Sequence, residues 1–159
     1  MSPSAIEAEL VHATAVALGD KAALIRGPSG SGKSDLALRC IAAPPLPGRD
    51  CRAELVADDQ LRIARTDDVI RIRPPSTIAG KMEVRGVGIL TVPYRPEARL
   101  VLVVDLVSRD EVPRYPLETP TAEFLGLSVP VVRLSAFEAS APIKLLMALN
   151  AAGDVLTPP

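Results

Sequence analysis

Gly27-Pro28-Ser29-Gly30-Ser31-Gly32-Lys33-Ser34 is the stretch that decides how this chain folds. It fits the pattern G-x-x-x-x-G-K-[ST] in full. Glycines let the backbone turn its amide groups inward around phosphate oxygens, and a helix starting near Lys33 points its positive end at them. In that arrangement Lys33 reaches the terminal phosphates and the Ser34 hydroxyl ligates Mg²⁺. The chain has only four lysines and 10 glycines, so a chance match is on the order of one in several hundred. The flanks agree with the motif. Apolar Ala22–Ile25 reads as a strand before it, and Ser34–Ala42 has helical spacing after it, with Leu36, Leu38, Cys40 and Ile41 on one side.

On the N-terminal side, Val11–Leu18 and Ala22–Arg26 read as two strands joined by Gly19-Asp20-Lys21. Beyond the helix, a loop over Ala43–Asp50 leads into Cys51–Ala57, which ends in the acidic pair Asp58-Asp59. Gln60–Ala64 and Asp68–Pro74 read as short strands around a Thr66-Asp67 turn. Met82–Val92 reads as one strand, bent or closely approached at Gly86 and Gly88. Leu100–Val107 is apolar throughout except for Asp105, as expected of a strand buried on both faces. Val129–Leu134 is a further strand, and Pro142–Asn150 a closing helix that stops by Gly153. The sixteen prolines cluster between apolar segments and mark connections, because proline cannot donate to a sheet ladder. Many strands and few helices predict an α/β domain with a mixed sheet, not a regular alternation of strand and helix.

The bulk numbers bound the rest. The 159 residues suit one domain spanning 1–159, and 48% apolar with 23% charged residues is an ordinary globular balance. A net charge of −1 supplies no field to hold a polyanion, so nucleic acid is not an expected partner. Cys40 and Cys51 have no paired spacing, and there is one His, which excludes the usual zinc cluster and a disulfide framework. No basic segment precedes an apolar run at the N-terminus, and no stretch reaches the ~18 apolar residues of a membrane span. A cytoplasmic domain is the expectation.

A P-loop enzyme also needs an acid near the phosphates, at the end of an apolar strand. Two places compete on residues alone: Leu100–Asp105, and Ala53–Asp59 with its two adjacent carboxylates. Neighbouring strand residues point to opposite faces, so Asp58 and Asp59 could divide the work, one addressing the site and the other its support. Composition and spacing leave this choice open.

Several motifs taken together resemble one family. His12, GPSGSGKS (Gly27–Ser34), LVADD (Leu55–Asp59), MEVRGVGIL (Met82–Leu90) and Arg114 followed by FLGLSVP (Phe124–Pro130) stand in the order and approximate spacing of HPr kinase/phosphorylase. The similarity covers essentially the whole chain but only that family's C-terminal catalytic domain, as in its short forms. The resemblance implies a P-loop kinase core with a mixed central sheet, similar to phosphoenolpyruvate carboxykinase. It implies a protein serine kinase that uses ATP or pyrophosphate, with Mg²⁺, on the phosphocarrier protein HPr or a homologue. It also implies roles. Asp59 takes the proton from the attacking serine, with Asp58 in support. Lys33 clamps the β- and γ-phosphates, and Ser34 with Glu83 shares the metal. His12 and Arg114 match catalytic positions, and Arg85 lies in the segment linked to both reaction directions. Longer members assemble, so the resemblance also admits a homo-oligomer.

The resemblance breaks at Ser135-Ala136-Phe137-Glu138-Ala139-Ser140, where the family has a segment like PVRPGR. Two arginines that could bind inorganic phosphate are missing there, so kinase activity is expected and phosphorolysis of the product is not. Two rival readings carry different expectations: a small-molecule kinase with Asp105 as its metal acid, and a nucleotide-responsive binding module without chemistry.

Overall fold

The computed structural model describes residues 6–153. Its strands are β1 (Ile6–Val11), β2 (Thr14–Leu18), β3 (Lys21–Arg26), β4 (Glu54–Ala57), β5 (Leu61–Thr66) and β6 (Val69–Arg73). They are followed by β7 (Lys81–Val84), β8 (Gly88–Thr91), β9 (Ala98–Leu106), β10 (Thr121–Phe124) and β11 (Leu127–Leu134). The helices are α1 (Lys33–Ala42) and α2 (Ala141–Ala151).

The fold is α/β with a mixed sheet, as its sequence pattern implies. Among the described residues the sheet runs β1-β5-β6-β9-β3-β2-β4, with β11 beside the far half of β9 and β10 beyond it. β9 is parallel to β3 and to β11, and the other pairings in this sheet are antiparallel. β7 and β8 form a separate hairpin. No helix of the described residues is long and apolar enough to cross a membrane.

Two cores lie on the two faces of β3. Ala23 and Ile25 join Leu36, Ala37, Leu145 and Leu149 from the helices. Ala22 and Leu24 face the other way, with Ile63, Ile70, Val103, Leu127 and Val129. Side chains from β5 and β6 meet those of β2 in that second cluster although β9 and β3 lie between them in the sheet, so the sheet curls over itself. The double burial explains why β3 and β9 read as continuous apolar runs rather than alternating ones.

The departures from the sequence expectation have physical causes. Val11–Leu18 is not one strand but β1 and β2, interrupted at His12-Ala13. The break lets the chain change partners, from β5 (Val11 opposite Leu61) to β3 (Thr14 opposite Ile25). Met82–Val92 is a hairpin rather than one bent strand. Gly86 (φ 84°) and Gly88 (φ 123°) adopt left-handed backbone and reverse the chain. The turn expected at Thr66-Asp67 lies one residue later, because Thr66 still pairs with Val69 and Asp67 takes the positive φ of 53°. β1 and β10 were not expected at all.

Far from the phosphate loop, the turn between β2 and β3 is pinned by charge. Asp20 accepts hydrogen bonds from Arg71 Nη1 at 2.9 Å and Arg99 Nε at 3.0 Å. Burial alone would raise its pKa, but the two guanidinium groups outweigh it and hold the carboxyl below its usual value. A depressed folded pKa stabilises the fold fully above the unfolded value, about 3.9, and that contribution disappears as pH falls through the folded value. Asp20→Asn should therefore flatten the acid limb of the stability profile and leave the slope above pH ~5 unchanged, as read by denaturant unfolding at a series of pH values. Leu24→Ala should cost about 2–5 kcal/mol by the same method, because the residue is fully buried in a central strand. A loss under about 1 kcal/mol would contradict the packing described.

Candidate active site

Four segments converge at one edge of the sheet because their directions are fixed by pairing. β3 ends there at Arg26, and β9, parallel to it, ends with Asp105 opposite Arg26. β2 runs antiparallel to both β3 and β4, so Thr14 at its start lies beside the end of β4, where Asp58 and Asp59 follow. This is the carboxyl end of the parallel strands, where open α/β sheets place their ligands.

The phosphate loop leaves β3 at this edge. Gly30 (φ 81°) and Gly32 (φ 96°) hold left-handed conformations that a side chain would strain. Gly32 is also the N-cap of α1, and no side chain caps the helix start. Lys33 Nζ donates to the carbonyl oxygens of Gly27 at 2.8 Å and Pro28 at 3.1 Å, across the loop. Ser31 Oγ is buried without a hydrogen-bond partner. An uncapped helix start, a lysine arched over the loop and an unspent buried hydroxyl together make a site that fits an anion such as a phosphate chain.

The acid that reaches the loop is Asp58. Its Oδ1 accepts a hydrogen bond from Ser34 Oγ at 2.6 Å and a second from Thr14 Oγ1 at 3.2 Å. Thr14 Oγ1 in turn accepts from the Asp59 amide at 3.2 Å. Asp58 is buried, whereas Asp59 is exposed and takes a φ of 69°. The neighbouring carboxylates therefore differ in setting, Asp58 bonded to Ser34 and Thr14 and Asp59 exposed. Asp58, expected only to support Asp59, is the one in contact with the residue expected to bind metal. Ser34 and Asp58 are oxygen donors of the kind a hard divalent cation takes, with phosphate oxygens and water completing such a shell. Among the described residues no cluster of three or more His, Cys, Asp or Glu could hold a metal without such help.

Asp105 is engaged elsewhere. Arg26 Nε donates to Asp105 Oδ1 at 2.7 Å and Arg26 Nη2 to Oδ2 at 2.8 Å, and the pair keeps the guanidinium firmly protonated. The same guanidinium lies 5.9 Å from the centre of the Phe124 ring. The two-pronged pair braces the residue immediately before Gly27.

The remaining expected residues are placed as follows. His12 is exposed in the break between β1 and β2. Glu83 is exposed on β7, on the face opposite buried Met82, and makes no hydrogen bond with Ser34. Arg85 is exposed in the hairpin turn. Arg114 is exposed in the connection that leaves β9 at the site edge. Hydrogen bonds therefore join Ser34 to Asp58 and, through Thr14, to the Asp59 amide, while Lys33 bonds within the loop and His12, Glu83, Arg85 and Arg114 lie exposed. Cys40 offers no nucleophile, since burial pushes its thiol up to about 12.

Two contributors had not been expected, Thr14 and Phe137. The signal for Thr14 was a lone hydroxyl among small apolar residues, two positions after His12. Phe137 lies in the segment that replaces the arginines. A Cβ on Gly32 would stand 3.0 Å from Ala136 Cβ and 3.2 Å from the Phe137 ring, so this segment packs directly on the loop. It is anchored there by Arg39, which donates to the carbonyl of Ala136 and, at 3.3 Å, to that of Glu138.

Comparison with known proteins gives a consistent picture. The family model described as HPr serine kinase C-terminal domain matches residues 4–151. HPr kinase/phosphorylase of Bordetella pertussis is 38% identical over 122 residues, 70% of this chain and 37% of that protein. That of Burkholderia cenocepacia is 36% identical over 121 residues, 70% of this chain and 35% of that protein. The chain thus spans little more than a third of the length of these relatives. In shape it is similar to HPr(Ser) kinase/phosphatase from Coxiella burnetii, with a TM-score of 0.74, 23% identity and coverage of 89% of this chain and 88% of that one. That likeness supports the fold.

Gly32→Ala should weaken ATP binding about tenfold or more in isothermal titration, because a non-glycine residue in this backbone conformation costs roughly 1–2 kcal/mol before any contact with Phe137. Unchanged affinity would mean that the loop conformation is not the one that binds.

Proposed function

The chain belongs to the HPr serine kinase C-terminal domain family, and we propose that it transfers the γ-phosphoryl group of ATP to a serine hydroxyl of the phosphocarrier protein HPr or a homologue. The observation that carries this reading is the 2.6 Å contact between Ser34 Oγ and Asp58 Oδ1, which joins the phosphate loop to the acid pair. Phosphoryl transfer needs little covalent help from a protein. It needs the phosphates held, the developing charge offset and the attacking oxygen relieved of a proton.

The residues divide along those lines. The amides of the Gly27–Ser34 loop and the start of α1 hold the phosphate chain. Lys33 exchanges the carbonyls of Gly27 and Pro28 for phosphate oxygens and offsets their charge. Ser34 and Asp58 supply oxygen ligands for Mg²⁺, whose chemistry when bound is to neutralise charge on the phosphates. Asp59, turned to solvent at the loop's edge, accepts the serine proton as the general base. The Arg26–Asp105 pair weighs against Asp105 as the metal acid, and so against the small-molecule kinase that would use it.

The transfer runs in the kinase direction. Ser135–Ser140 contains no arginine to receive inorganic phosphate, and its Ala136 and Phe137 cover one side of the loop.

Asp59→Asn should reduce transfer from radiolabelled ATP to purified HPr by about 10²-fold or more, the ordinary worth of a general base, with ATP affinity within about threefold of the unaltered chain. Persistent transfer in Asp59→Asn together with its loss in Asp105→Asn would contradict the assignment. Phosphorylated HPr incubated with the chain and inorganic phosphate should release no pyrophosphate, and clear release would show that the reverse reaction does not need the missing arginines.

A further inference from the structure

We infer that Thr14 is a positioning residue whose hydroxyl ties the base Asp59 and the carboxylate Asp58 to the phosphate loop. The inference rests on the kinase reading for its functional consequence, but its structural half stands apart from it.

Thr14 is fully buried at the start of β2, between Ala13 and Ala15, which are also fully buried. A hydroxyl in such surroundings is unfavourable unless it is bonded. Here it is bonded twice, and the direction of each bond is determined. A backbone amide can only donate, so Thr14 Oγ1 accepts from Asp59. A hydroxyl has a single proton, and the remaining partner, Asp58 Oδ1, receives it. Ser34 donates to the same oxygen from the other side. The result is a chain of hydrogen bonds of fixed polarity that links β2, the end of β4 and the phosphate loop, three segments far apart in sequence.

Each end of that chain needs holding. Asp59 has a left-handed backbone (φ 69°), which a residue other than glycine adopts at a cost, and the bond from its amide to Thr14 opposes relaxation to extended backbone. That backbone conformation sets where the Asp59 carboxylate points. Asp58 shares one oxygen between two hydroxyls. Were Ser34 to turn from Asp58 toward a bound metal ion, Thr14 would remain as the donor that keeps Asp58 aligned. A β-branched threonine in a strand is restricted at χ1, and the pairing of Thr14 with Ile25 and of Ala15 with Ala57 fixes where its hydroxyl lies.

The experiment compares Thr14→Val, nearly the same shape without the hydroxyl, with Thr14→Ser, which restores it. Four quantities are read on the full chain: melting temperature, ATP affinity, transfer to HPr, and exchange of the Asp59 amide by NMR. Thr14→Val should lower kcat for transfer about tenfold or more, leave ATP affinity within about threefold, and speed Asp59 amide exchange about tenfold. Thr14→Ser should return all three to near the unaltered values, a rescue that a purely space-filling role would not require. Should Thr14→Val fail to fold, Thr14→Ala provides the same comparison with Thr14→Ser. Unchanged Asp59 exchange without the hydroxyl overturns the inference, as does faster exchange with unchanged kcat, or a serine variant as impaired as valine. If the unaltered chain transfers nothing to HPr, the kinase reading fails, and Asp59 exchange still decides whether Thr14 holds the acid pair.

Discussion

Asp58 accepts two hydrogen bonds on one oxygen, from the hydroxyls of Ser34 in the phosphate loop and Thr14 in β2, and the arrangement of the site depends on this shared carboxylate. A buried carboxylate is costly without donors, so the fold must deliver both hydroxyls to it. β2 meets this requirement by pairing with β3 on one side and β4 on the other, which brings its first residue to the edge where the loop departs. The same antiparallel pairing makes β4 run in the direction of β3, so the acid pair emerges beside the loop rather than at the far end of the sheet. Local backbone, sheet order and the chemistry of the edge are thus one constraint.

Much of this was legible in the sequence, and for identifiable reasons. Gly27–Ser34 specifies its own geometry, since phosphate-binding backbone needs glycine where φ is positive and a lysine beside it. β3 and β9 were visible because burial on both faces leaves no polar residue in their middles. The acid pair was visible as a candidate, but not that Asp58 is the carboxylate bonded to Ser34, because that depends on how β4 ends and on the left-handed turn at Asp59. The tie with Asp105 could not be broken from composition. Arg26, which engages Asp105, sits 79 residues away in sequence and meets it only because β3 and β9 are parallel neighbours.

The misread segments share a cause. Val11–Leu18 looks like one strand because hydrophobic pattern records burial and not the identity of the partner strand, and the chain changes partner at His12-Ala13. Met82–Val92 looks like one strand because glycines that reverse a chain and glycines that admit a close neighbour look alike in sequence. β1 and β10 lie toward the edges of the sheet, where the apolar signal is weak. Ser135–Ser140 is the instructive opposite case: its missing arginines were plain to see, but not that its Phe137 would lie against Gly32. That contact sets an aromatic side chain against the start of α1.

Under the proposed function, this loop and this carboxylate together receive the phosphates of a nucleotide. A crystal structure of the chain with Mg²⁺ and a non-hydrolysable ATP analogue tests it most directly. The triphosphate should be wrapped by the amides of Gly27–Ser34, with Lys33 turned from the loop carbonyls onto phosphate oxygens and the metal beside Ser34 and Asp58. A triphosphate bound elsewhere, with Lys33 still bonded to Gly27 and Pro28, would contradict it.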